Sequence, residues 1–156
     1  MVFREGILLM NDVPVIIVTR KFIVDIQTAI EKISGITGAK ALLYRIGFKS
    51  AVSLAEILRK RHKMQGEDLF MKIIDVVSRV GWGSFKPISM EKDRIVIRVH
   101  HSYGEEFGNV GRDVCYIWQG GIAGAANAAF GWKVRGKETK CVGRGDPYCE
   151  FVAEPS

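Results

Sequence analysis

Three cysteines, Cys115, Cys141 and Cys149, fall in the C-terminal third of the chain, and their spacing points to metal chemistry. Zinc takes four ligands in a tetrahedron, and thiolate sulfur is among the donors it favours. Cys115 stands near the start of an expected helix. Cys141 ends one expected strand and Cys149 begins the next, so the Gly-Arg-Gly-Asp-Pro turn between them brings two thiols together. Glu138 lies on the same strand as Cys141, just ahead of it. Two other readings stand beside the metal site: inert buried cysteines, which behave as small hydrophobes, and a Cys141–Cys149 disulfide. An odd cysteine count in a chain of this length suits a reducing cytoplasm better than a disulfide scaffold.

The elements that must position these residues read as α+β, an antiparallel sheet packed against several helices. Gly6–Thr19 reads as two strands about an Asn11-Asp12 turn. Phe22, Ile26, Ile30 and Ile33 then share one helical face, and Gly35 and Gly38 punctuate its end. A second helix is expected from Ala39 to Arg61, with Leu42, Ile46, Leu54, Ile57 and Leu58 inward. A third follows Gly66, burying Leu69, Phe70, Ile73, Ile74, Val77 and Val80. The clearest strand is Arg94–His101, in which Ile95, Ile97, Val99 and His101 point one way. A fourth helix, from about Asp113 to Phe130, is rich in Gly and Ala. Glycine there costs about 1 kcal/mol per position relative to alanine, so a closely approaching backbone or ligand must compensate. Strands over Trp132–Cys141 and Tyr148–Ala153 complete one domain, residues 1–156.

Composition narrows the function classes. At 156 residues, 47% hydrophobic and 26% charged, the chain is long enough to bury a core and reads as globular. No apolar run spans a membrane, and no secretory leader is read at the N-terminus. The net charge of +6 invites a nucleic-acid reading. The densest basic run, Arg59–Lys63, instead falls at a helix C-terminus, where cations complement the helix dipole, and no nucleic-acid motif accompanies it. No Ser-His-Asp, paired-carboxylate or phosphate-loop arrangement is evident, which favours a non-enzymatic role.

The run Cys115-Tyr-Ile-Trp-Gln-Gly-Gly-Ile-Ala-Gly-Ala, followed by Glu138-Thr-Lys-Cys141 and Tyr-Cys149-Glu-Phe151, resembles the 4-vinyl-reductase-type, or hydrocarbon-binding, domain. Leu43-Tyr44-Arg45-Ile46-Gly47-Phe48 resembles that family's central helix motif. The family includes sensor domains of phenol- and xylene-responsive activators, and its fold is similar to that of small vesicle-tethering subunits. The resemblance implies a structural Zn²⁺ held by Cys115, Glu138, Cys141 and Cys149. Three thiolates, one carboxylate and Zn²⁺ leave a net negative charge, which the neighbouring Lys137, Lys140 and Arg144 are expected to offset.

The resemblance further implies an apolar ligand pocket enclosed by helices and sheet. Phe70, Trp82, Phe85, Val99, His101, Tyr103, Trp118, Ala125 and Phe130 are the candidate lining residues. His101 matches the strand from which phenol sensors present an anchoring tryptophan, while Phe70 stands where they place a histidine. The expected function is a zinc-stabilised binding protein or sensor for a small hydrophobic, aromatic-type molecule, acting through a regulatory partner. A homodimer is expected, packed through the first or the fourth helix. The resemblance also raises an enzyme or accessory of tetrapyrrole vinyl reduction, and a ligand-free dimeric interaction subunit.

Overall fold

A computed structural model describes residues 1–10 and 12–156, so the Asn11 half of the expected Asn11-Asp12 turn lies outside the described residues. Three short strands, β1 (Val2–Arg4), β2 (Ile7–Met10) and β3 (Val13–Val15), form an antiparallel meander where two strands were expected. The extra strand exists because Glu5 and Gly6 both take positive φ, +47° and +87°. That pair makes a tight hairpin turn and folds Val2–Arg4 back onto Ile7.

Helix α1 runs from Arg20 to His62 and is interrupted at Gly35, whose φ of 72° and ψ of 170° are not helical. The two helices read from the sequence are therefore the two arms of this kinked element. Thr19 caps it, its hydroxyl accepting from the Phe22 N–H at 3.2 Å. Arg59, Lys60, Arg61 and His62 occupy its last turn, as the dipole argument requires. Two of them also bond locally, Arg59 to the Ala128 carbonyl and Arg61 to the Asp12 carbonyl.

The buried face of α1 corrects the sequence reading. Ala39, Leu43, Gly47, Ala51, Ala55 and Leu58 point inward, whereas Leu42 and Ile46 are each 50% exposed. The reason is a very close crossing with α3 (Tyr116–Phe130). A Cβ on Gly47 would lie 1.9 Å from the Ile117 carbonyl oxygen, and one on Gly120 1.8 Å from that of Tyr44. Backbones this close admit only small side chains, so the bulky residues rotate onto the flank. This crossing is the compensation that the Gly/Ala-rich helix demanded, and it buries α3 within the chain. In the first arm, Gln27 is the buried residue, while Phe22, Ile26 and Ile33 are exposed.

Helix α2 (Gly66–Arg79) buries Leu69, Phe70, Ile73, Ile74 and Val77 as expected, with Glu67 and Asp68 in its first turn. Val80, just past its end, is 40% exposed. Four strands then form an antiparallel sheet in the order β4 (Ser84–Glu91), β5 (Arg94–His100), β7 (Cys149–Pro155), β6 (Val134–Lys140). Its register sets Val99 opposite Cys149 and Ile97 opposite Phe151, so the sheet core continues directly into the cysteine site. No helix among the described residues is long and apolar enough to cross a membrane.

Candidate metal centre and apolar cavity

Cys115, Glu138, Cys141 and Cys149 converge, one ligand atom from each lying within 4.8 Å of all the others. All four are buried, and the three cysteines are free thiols. Each arrives by a different local device. Cys115 is the residue immediately before α3, where the helix dipole favours a negative sulfur. Glu138 precedes a register shift between β6 and β7, a bulge of the kind that re-aims a side chain. Cys141 leads into a short 3-10 turn, Val142–Arg144, and Cys149 opens β7. Gly104 leaves the room: a Cβ there would sit 2.6 Å from the Cys115 sulfur.

Cys115 Sγ and Cys149 Sγ are 3.5 Å apart. The edge of a tetrahedron with metal–sulfur bonds of about 2.3 Å is about 3.8 Å. Two backbone N–H groups donate to Cys141 Sγ, from Val114 at 3.4 Å and Gly143 at 3.3 Å. The Ser102 hydroxyl lies 3.3 Å from Cys115 Sγ. Gln119 Nε2 donates to one Glu138 carboxylate oxygen at 3.1 Å. The other, Oε1, is buried with no partner. A cation would satisfy this buried acceptor beside three thiols, and the donor set suits a divalent ion of zinc type.

The electrostatics agree. Burial and the neighbouring Cys141 push the Glu138 carboxyl up to about 9, and burial pushes the Cys115 thiol up. Hydrogen bonds from the Cys115 and Cys149 thiols hold Cys141 down. Four acids so close cannot all ionise without a cation to offset them. That offset is not local lysine: Lys137 pairs with Glu154, and Lys140 bonds the Tyr148 hydroxyl at 3.1 Å. Arg144 pairs with Asp113 at 3.2 Å. The three cations expected to balance the site are thus engaged elsewhere, and backbone N–H groups surround the sulfurs instead.

Behind Cys115 a buried polar network, invisible in the sequence, fixes the site to α1. Gln27 Nε2 donates to the Val114 carbonyl at 2.9 Å, and the Tyr103 hydroxyl donates to Gln27 Oε1 at 3.2 Å. Arg112 makes a two-pronged contact with Glu31, at 3.2 and 2.7 Å, and donates to the Tyr116 hydroxyl at 2.8 Å. Gln119 was the one discoverable member of the ligand surroundings, because it lies one helical turn after Cys115.

An apolar cavity of about 490 Å³ lies between α1, α2, α3 and β3, on the helical side of the molecule. Of the expected lining residues, Trp82, Trp118 and Ala125 stand on its wall. Tyr103 and Trp82 border a second, neighbouring cavity of about 760 Å³. Phe70, Phe85 and Val99 are core residues, and Phe130 packs against Phe70 and Trp132. His101 is corrected. The strand stops at His100, and His101 takes a φ of +54°, which turns its side chain out to 81% exposure beside Glu105. The missed wall residues, Leu43, Ile46, Ile73 and Ile117 among them, come from helices. Ile46 carries a signal, as an apolar residue left over once the α1 face packed on α3 is assigned.

Residues 100–155 match the V4R domain family, and residues 3–88 match a domain of unknown function, DUF5943. The chain belongs to the DUF5943 family, and its C-terminal third carries a V4R domain. An uncharacterised protein of Methanocaldococcus jannaschii is 25% identical over 118 residues, 75% of this chain and 65% of that protein. The chain thus spans 65% of the length of the curated relative it matches. Among solved structures, the phenol-responsive sensory domain of the transcription activator PoxR, with phenol, superposes with a TM-score of 0.83 at 19% identity, covering 99% of this chain and 83% of that one. A trafficking protein particle complex subunit 3 from Naegleria fowleri, covalently bound to palmitic acid, gives 0.62 at 14%, covering 88% and 92%. A vinyl-4-reductase family protein from Methanocaldococcus jannaschii gives 0.60 at 17%, covering 87% and 80%. These likenesses establish the fold.

Proposed function

We propose that residues 1–156 form one zinc-stabilised domain that binds a small hydrophobic molecule and reports it to a protein partner in the cytoplasm. The observation that carries the zinc half is Glu138 Oε1, buried without a partner beside three converging thiols. With four protein ligands the site is closed, so the metal is structural: it ties the β6–β7 turn to the start of α3 and leaves no position for substrate.

The ligand half rests on the cavity. Its volume falls within the range of small-molecule sites, and its wall is almost wholly aliphatic and aromatic. The phenol bound to the similarly folded PoxR domain, and the palmitic acid on the Naegleria subunit, support a hydrophobic ligand in this fold. Ligand binding shifts a partner only if the two conformations of the domain differ in affinity. The Gly35 break in α1, whose first arm contributes Ile23 and Ile26 to the cavity wall, is where such a difference would arise.

A homodimer is part of the proposal, formed through the first arm of α1 and not through α3, which is already covered. Phe22 and Ile33 on that arm, and Ile16 and Ile17 before it, are exposed large hydrophobics. Native mass spectrometry of freshly purified protein tests the whole reading. One zinc per chain, a dimer mass and a retained small molecule support it; a uniformly metal-free, ligand-free monomer refutes it.

A further inference from the structure

The 490 Å³ cavity is not isolated. It shares Val15, Ile23, Ser50, Val80 and Trp82 with the neighbouring 760 Å³ cavity, so the two adjoin along one common wall. Their chemistry differs. Among the described residues, the wall of the smaller cavity carries no charged side chain, whereas that of the larger carries Arg20 and Arg79 and no acid. Both cations reach water, with side chains 33% and 65% exposed. Arg79 engages Asp75 through its Nε at 2.7 Å, and Asp75 has Lys72 as a second partner at 3.4 Å. Arg79 can therefore take another anion without leaving Asp75 unpaired.

We infer that the two cavities together hold a single-chain anionic amphiphile, its tail in the smaller cavity and its carboxylate or phosphate head at Arg20 and Arg79 in the larger. This rests on the smaller cavity being the binding site proposed above. A charge inside the apolar cavity would lose its hydration with nothing to replace it. At the arginines it keeps water, and a guanidinium presents paired N–H groups that match two carboxylate or phosphate oxygens. No cysteine stands on either wall, so the molecule is held there without a thioester bond.

Dodecanoate, dodecyl phosphate and dodecan-1-ol share one tail and differ in the head. Their dissociation constants are measured by calorimetry on the purified protein, below the concentrations at which they form micelles. At least one anion binds about tenfold tighter than the alcohol, the scale of one charge-assisted contact, and the tighter anion identifies the head. That advantage vanishes in the double variant Arg20→Gln, Arg79→Gln. Should the double variant fail to fold, added salt on the wild-type protein gives the answer, weakening the anions and sparing the alcohol. The tail is read by lengthening it. From octanoate to tetradecanoate, affinity rises about three- to fourfold per methylene. Ser50→Phe, at an exposed position on the shared wall, narrows the junction and halts that rise at a shorter chain. An alcohol that binds as tightly as both anions overturns the head assignment while the cavity reading stands. A rise indifferent to Ser50→Phe overturns the path of the tail. Failure of all three probes to bind overturns the cavity reading and the amphiphile with it.

Discussion

Gln119 holds one oxygen of the Glu138 carboxylate at 3.1 Å and leaves the other oxygen buried and free. The contact orients the carboxylate toward the three sulfurs, so Gln119 would support the proposed metal without touching it. Replacing Gln119 by Leu should lower zinc affinity by about 10–100-fold, the usual effect of losing such a supporting bond. Stoichiometry at saturating metal should remain one per chain. Competition with a chromophoric chelator measures both.

Cys141 carries more than a ligand role, since the Val114 and Gly143 N–H groups both converge on its sulfur. Cys141→Ser should abolish tight zinc retention and destabilise the fold by about 3 kcal/mol or more, because metal-binding energy is folding energy here. Metal analysis and chemical denaturation of the same preparation test the two parts together.

The pH dependence has a definite sign. Glu138 is raised from about 4.5 to about 9 by burial and the neighbouring thiols. Between those values the folded, cation-free site keeps a proton that the unfolded chain releases. Cys141, held down beside it, has given up a proton that the unfolded chain keeps, so the two linkages oppose and chelator-treated protein changes little in stability across that window. Zinc displaces the same proton, so loading strengthens as pH rises. The gap in melting temperature between loaded and chelated protein should be wider at pH 8 than at pH 6, read by calorimetry.

The α1–α3 crossing reverses an ordinary helix rule. Gly→Ala in a helix normally stabilises by about 1 kcal/mol. Gly120→Ala should instead destabilise by about 3 kcal/mol, because its Cβ would meet the Tyr44 carbonyl oxygen at 1.8 Å. Thermal unfolding decides the sign directly.

The convergence of Cys115, Glu138, Cys141 and Cys149 was legible because chemistry constrained their types: few roles call for three cysteines and a glutamate in one small stretch of chain. The break at Gly35 was legible from the glycines there, and the buried face of α2 from periodicity. The face of α1 was not, because its inward stripe is small. Hydrophobicity ranks Leu42 and Ile46 above Gly47 and Ala51, and only the presence of α3 inverts that order. His101 was misplaced for a local reason, since strand alternation carries no warning that the strand ends one residue earlier. Gln27, buried in a polar network between distant segments, left no local trace at all.

The most direct test of the central claim is X-ray absorption at the zinc edge on protein purified without added metal. The account predicts one zinc per chain with three sulfur neighbours at about 2.3 Å and one oxygen at about 2.0 Å. Glu138→Gln should disturb the oxygen shell and leave the sulfurs. An absent zinc edge, or a shell dominated by oxygen and water, would contradict it.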